Sequence, residues 1–339
     1  MRAAGLDYEH RELTLKERPE PDTVGGDCAL LRVQEVGICG TDRELASFRF
    51  GYPPKGETFL TMGHEALARV VETGPDAHLV HAGDWVVPFV RRRCEPPCIS
   101  CARGRRDLCV SGGYTERGIF GRHGYLTDYA IDSEANLVRI PPGLAEIAVL
   151  IEPLSVVEKA VETALRIHEP GARTALVLGA GPVGILAALV LQQRGLEAAV
   201  YSLEEPSHPR VRLLACAGVR YLTRLDGVSA DVVIEAAGSP QAAFAGLRAL
   251  APLGVCGILG SPNASGEVPF LDLLRHNQAV FGSVNASPAA FTQAVEDLGR
   301  LDRGVLCGMI RRARFEDVRE TIPAPAGGDA AKIVHVLGD

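Results

Sequence analysis

TALVL-GAGPVG-ILAALVLQQR, Thr174 to Arg194, reads as strand, glycine turn and helix in direct succession. Thr174 to Leu178 is a short apolar run of strand length, and Ile185 to Arg194 is an apolar helix that stops at Gly195. Gly179, Gly181 and Gly184 divide the labour between them. The first makes the tight turn, the second lets backbone reach a pyrophosphate, and the third lets helix and strand pack closely. Pro182 and Val183 complete the turn, and the helix N-terminus offers its N–H groups to an anion. A second strand, Ala198 to Leu203, ends at Glu204, 20 positions after Gly184. That is a dinucleotide-binding unit. Glu204 and Glu205 can accept hydrogen bonds from the ribose hydroxyls of NAD and would repel the extra phosphate of NADP. They can also be read as solvated loop acids, and Arg210 and Arg212 keep NADP open.

The alternation continues downstream. Asp231 to Glu235, Val255 to Leu259 and Val280 to Val284 read as strands, and Pro240 to Leu250 as a helix. Strands alternating with helices predict an α/β, doubly wound parallel sheet. Ser287-Pro288 caps a further helix, and Lys332 to Leu337 is a closing strand expected to return to the first part of the chain. Upstream, Glu152 to His168 carries Val156, Val157, Ala160, Val161, Ala164 and Leu165 on one helical face, with Pro153 in its first turn. The first third is different. Ala29 to Val36, Glu65 to Glu72 and Asp84 to Val90 are short, Val- and Leu-rich and bounded by turn residues, which predicts a mostly β domain.

The chain has 339 residues, 47% hydrophobic and 23% charged, with a formal net charge of -7. The size suits about two domains, and the acidic balance argues against a nucleic-acid partner. No apolar run is long enough to span a membrane. Met1 to Glu20 lacks the apolar core of a secretion signal, so the cytoplasm is expected.

Four of the nine cysteines, Cys94, Cys98, Cys101 and Cys109, fall within 16 positions of an aperiodic, arginine-rich stretch. Such a cluster reads as one structural zinc with four thiolate ligands. Unligated thiols or a disulfide pair are the other readings. Gly37-Ile38-Cys39-Gly40-Thr41-Asp42 offers a thiol, a hydroxyl and a carboxylate together, His64 opens a strand, and Glu152 heads a helix. Cys39, His64 and Glu152 would make a three-ligand zinc site with an open fourth position, the catalytic pattern. A core thiol, a core histidine and a helix-end acid are the plainer readings.

Gly63-His64-Glu65, the four-cysteine loop and Gly179 to Gly184 occur in the order found in zinc-dependent medium-chain alcohol dehydrogenases, and the chain resembles that family over essentially its whole length. The resemblance implies a GroES-like catalytic domain over 1–168, a Rossmann domain over 169–287, and a return to the first domain over 288–339. It implies a catalytic zinc on Cys39 and His64, with Glu65 beside it and able to enter its shell. Thr41 would start a proton relay, and Asp42 would orient His64. Cys39 to Glu44, Glu152 to Lys159 and His276 to Asn285 are similar to the glucose dehydrogenase branch. That branch implies a carboxylate or amide from the Glu152 position at zinc and sugar contacts from Glu116 and Asn285.

The implied reaction moves hydride from a sugar hydroxyl, glucose to lactone, onto NAD in preference to NADP, in a homodimer or homotetramer. A polyol, an amino sugar or another sugar-derived alcohol is the alternative substrate. An inactive nucleotide-binding or redox-sensing protein is a third reading. The chain departs from the family pattern in three places. The Cys94–Cys98 gap is one residue longer, Val90 stands where some sugar-oxidising members carry Asn, and Arg43-Glu44 replace a relay histidine.

Overall fold

A computed structural model of the protein describes residues 1–21, 24–168, 171–260, 266–323 and 328–338. Its second half is built on six parallel strands. Across the sheet they run Arg220–Leu222, Glu197–Tyr201, Thr174–Leu178, Ala230–Glu235, Leu250–Ile258 and Ala279–Gly282. Numbered along the chain this is the order 3-2-1-4-5-6 of a dinucleotide-binding sheet, whose strand order reverses beside Thr174–Leu178. The helix Pro182–Gln193 starts with Pro at its first position, where the missing N–H costs nothing. It is apolar all round, and Gly184 to Leu191 are all buried between the sheet and its neighbours.

The first half is β-rich. Its main sheet runs Leu137–Ile140, Trp85–Pro88, Glu65–Thr73, Cys28–Ile38, Lys332–Val336 and Ile310–Arg314, with Tyr129–Ser133 also paired to Cys28–Ile38. The end of the chain therefore completes a sheet begun near its start, with Val334 opposite Gly37. One apolar core joins the two halves. Val87 and Phe89 from the first sheet share it with Leu154 of the helix Ile151–Ile167, Ile185 and Phe291. Among the described residues no helix is long and apolar enough to cross a membrane.

Several expected strands end earlier than the sequence suggests, two of them beside the cleft. Asp84 to Val90 narrows to Trp85–Pro88. Val280 to Val284 becomes Ala279–Gly282, because Ser283 to Asn285 leave the sheet to line a cleft, and Asn285 turns at φ 62°.

A half-buried cation clamps three helices. Arg194, just past the end of Pro182–Gln193, places one Nη2 2.7 Å from Glu158 on Ile151–Ile167 and 2.7 Å from Asp297 on Pro288–Leu298. Both acids are buried, at 3% and 0% exposure. Burial pushes Glu158 up to about 8, while Asp297 is held low because Arg194 and Gln293 outweigh its burial. A raised carboxyl keeps its proton in the folded protein after the unfolded chain has lost it. Its contribution to stability is therefore complete below the unfolded value and is lost as pH rises to about 8. Denaturation at a series of pH values is expected to show stability falling over this window, and Glu158→Gln is expected to flatten the fall. An unchanged slope would contradict this assignment.

Candidate active site and metal centres

Both halves line a cleft of about 690 Å³. Cys39, Thr41, His64 and Glu116 face it from the β-rich part, and Val183 and Asn285 from the parallel sheet. The second group lies beyond the C-terminal ends of the strands, where open α/β sheets bind ligands.

Strand register brings distant residues together. Cys28–Ile38 pairs antiparallel with Glu65–Thr73, with Gly37 opposite Glu65. Residues 39 and 64 therefore meet at one end of the sheet. Cys39 caps the short helix Gly40–Ala46, and its N–H donates to Asp42 Oδ2 at 2.9 Å. Its Sγ lies 3.2 Å from His64 Nε2. On the other side of the ring, His64 Nδ1 lies 3.5 Å from Asp42 Oδ1, and among the described residues neither of these buried atoms has a closer hydrogen-bond partner. Asp42, 0% exposed, thus faces the imidazole and presents Nε2 to the thiol. Thr41 sits between them in sequence and lines the cleft.

Glu65 adds an oxygen. Donor atoms of Cys39, His64 and Glu65 all lie within 4.8 Å of one another. Glu152 stands outside this group in the first turn of Ile151–Ile167 but lines the same cleft. Burial first, and repulsion from Glu65 second, push Glu152 up to about 8. Burial opposes charge on His64, yet the surrounding Cys39, Asp42 and Glu152 outweigh it and raise the imidazole well above its ordinary value. One sulfur, one imidazole nitrogen and nearby carboxylates, with a second acid fixing the ring, fit a zinc ion and its outer hydrogen bonds.

The four-cysteine loop fits a second ion. Cys94, Cys98, Cys101 and Cys109 also have their sulfurs within 4.8 Å of one another. Cys98 and Cys109 Sγ are 3.8 Å apart, and all four thiols are free. Sulfurs at about 2.3 Å from a tetrahedral zinc lie roughly 3.8 Å from each other, whereas a disulfide needs about 2 Å. The Cys98 N–H points at Cys94 Sγ at 3.1 Å. The longer Cys94–Cys98 gap leaves the cluster intact.

Across the cleft, Asn285 Nδ2 donates to Glu116 Oε1 at 2.7 Å, and Arg91 Nε donates to the same oxygen at 2.8 Å. Residues 169 positions apart thus meet on one wall. Val90 lines the same cleft as an apolar, buried side chain. At the glycine turn, a Cβ on Gly184 would lie 1.9 Å from the Gly179 carbonyl, so helix and strand touch only because it is glycine. A Cβ on Gly181 would meet nothing within 4 Å, which leaves room over the helix N-terminus for a pyrophosphate. Glu204 lies beyond the strand Glu197–Tyr201 and accepts from Arg210 Nη2 at 2.6 Å.

Two functional neighbours escape a reading of the sequence. Lys332, 1% exposed, puts its ammonium 2.6 and 2.8 Å from the Glu65 oxygens and 3.3 Å from the Ile38 carbonyl. Gly37 makes room for this pair, since a Cβ there would lie 2.4 Å from Glu65 Oε2. Arg91 holds Glu116 while stacking on Tyr114, 3.9 Å from its ring centre. Neither carries a local signal: one is a lysine opening an apolar strand, the other the first of three arginines.

Known proteins match along the whole chain. The family described as alcohol dehydrogenase GroES-like domain matches residues 25–142, and that described as glucose dehydrogenase C-terminus matches 145–324. Glucose 1-dehydrogenase of Thermoproteus tenax is 42% identical over 302 residues, 84% of each chain. That of Methanocella arvoryzae is 37% identical over 326 residues, 90% of each. The structure of Haloferax mediterranei glucose dehydrogenase in complex with NADP, Zn and gluconolactone superposes with a TM-score of 0.90 at 30% identity, covering 100% of both chains. Read together with the paired sulfur and nitrogen at the cleft floor, these matches place the chain in the glucose dehydrogenase branch of the zinc-dependent medium-chain alcohol dehydrogenases.

Proposed function

We propose that the cleft oxidises the C1 hydroxyl of a glucose-like aldose to the lactone, with transfer of hydride to a nicotinamide dinucleotide. The observation that carries this reading is the convergence of Cys39, His64 and Glu65 within 4.8 Å in the cleft that also holds the Glu116–Asn285 pair. A zinc ion held by Cys39 and His64, with Glu65 and Glu152 beside it, supplies a Lewis acid for the substrate oxygen. Asp42 holds the His64 ring in register for that role. The Thr41 hydroxyl takes the proton and passes it outward. Arg43 and Glu44 stand where the family resemblance implies a relay histidine, so Thr41 would release the proton toward solvent without one. Glu116 and Asn285 meet the sugar hydroxyls, and Val90 contributes only an apolar wall. A site built around hydroxyls in this way discriminates against substrates that lack them.

Gly179, Gly181, Pro182, Val183 and Gly184 form the cofactor cradle in this reading. Glu204 favours NAD, and an extra phosphate would compete with Glu204 for Arg210. The Haloferax neighbour, which binds NADP by its description, supports NADP as the second cofactor. The reading also divides the chain at 1–168, 169–287 and 288–339, with the cytoplasm as its compartment. A homodimer or homotetramer is supported by the outer edge of Ala279–Gly282, which ends the parallel sheet near exposed Phe270, Leu271 and Leu274.

A panel of aldoses, polyols and amino sugars, each with NAD and with NADP, tests the substrate. Reduction of cofactor by D-glucose, faster with NAD, is the expected result. Silence on every aldose would reject it and turn attention to the polyol or amino-sugar alternative. For the relay, Thr41→Ala is expected to lower kcat on the order of 100-fold with zinc content unchanged. A wild-type kcat in that variant removes Thr41 from the proton path.

A further inference from the structure

Lys159 lies seven residues after Glu152 on the helix Ile151–Ile167. Seven residues are two turns, so the two side chains share a face about 10 Å apart. Glu152 faces the metal centre. Lys159, 8% exposed, reaches two groups that no assignment above uses. Its Nζ donates to the Val284 carbonyl at 2.9 Å and lies 3.1 Å from Asp107 Oδ2. Asp107 is buried in the turn Arg106–Leu108, between Cys101 and Cys109 of the four-cysteine loop.

The contacts close into a ring. Arg91 Nη1 donates to the Asp107 carbonyl at 3.0 Å while its Nε donates to Glu116. Glu116 accepts from Asn285, and the Val284 carbonyl belongs to the same rigid peptide plane as the Asn285 nitrogen. A bond to that oxygen therefore fixes the plane from which Asn285 departs. Asn285 needs such fixing, because its φ of 62° lies in the sparsely populated left-handed region. The free carbonyl could turn toward water, and the Asn285 amide would then swing away from Glu116.

We propose that Lys159 is a positioning residue for sugar recognition: it locks the Val284–Asn285 peptide to the cysteine-loop turn and so aims Asn285 and Glu116 into the cleft. Lys159 does not itself touch the sugar. This rests on the reading of Glu116 and Asn285 as sugar-binding residues. It adds that their geometry is set from the helix carrying Glu152 and from the cysteine loop.

Steady-state kinetics on Lys159→Met, Asn285→Ala and the double variant test it, with D-glucose and cofactor varied separately. Lys159→Met is expected to raise the glucose KM about tenfold or more, with the cofactor KM within about twofold. The double variant is expected to be no worse than Asn285→Ala by more than about twofold, because residues acting through one another are not additive. Thermal melting checks folding. If Lys159→Met does not fold, Lys159→Gln, which keeps a polar group there, carries the same test. If Asn285→Ala leaves the glucose KM unchanged, the sugar-site reading fails and the proposal falls with it. If Asn285→Ala raises that KM but Lys159→Met does not, or the two losses multiply, the proposal alone is overturned.

Discussion

A lysine ammonium 1% exposed inside a β-sheet exists only beside compensating charge, and the Lys332–Glu65 pair is the constraint around which the metal centre is arranged. Breaking a buried pair by removing one partner typically costs about 3–5 kcal/mol, because the survivor is left charged without water. Here the survivor would be Glu65, one of the three donors at the cleft floor. Burial opposes charge on Lys332, yet Glu65 and its neighbours more than offset it and hold the ammonium above its ordinary range. The last strand of the chain therefore does more than close a sheet. It supplies the cation that offsets the acids gathered around Cys39 and His64.

That arrangement separates the acids by environment. Asp42 is spent on the Cys39 N–H and on the His64 ring, and Glu65 is spent on Lys332. Glu152 has neither kind of partner among the described residues and is pushed up to about 8 by burial and by Glu65. The four-cysteine loop contributes at a distance. Its Asp107 carboxylate and carbonyl hold Lys159 and Arg91, and these hold the wall proposed to meet the substrate. In the proposed reading, chemistry and selectivity are built on different supports: the first on strand register, the second on a ring of polar contacts.

Much of this was legible in the sequence. Thr174 to Arg194 announces strand, turn and helix because Gly179, at positive φ, and Gly184, against the Gly179 carbonyl, have steric reasons that no other residue meets, while Gly181 leaves room for a ligand. The cysteine loop announces itself by spacing. Cys39 and His64 each name a chemistry, but only the Gly37–Glu65 register joins them, and register is a property of the paired sheet rather than of either strand. Lys332 was invisible for the opposite reason. It occupies a position in an apolar strand where charge is unexpected, and its partner lies 267 residues away. Lys159 reads as an ordinary helix cation until Val284 and Asp107 are seen beside it. Val280 to Val284 looked like strand to its end because the exit toward Glu116 depends on the opposite wall of the cleft.

Anomalous diffraction at the zinc edge, from crystals of protein active on D-glucose, tests the metal-centred reading most directly. One peak is expected between Cys39 Sγ and His64 Nε2, and a second at the centre of the four cysteine sulfurs. Turnover of the sugar by protein with no zinc beside Cys39 and His64 would contradict it.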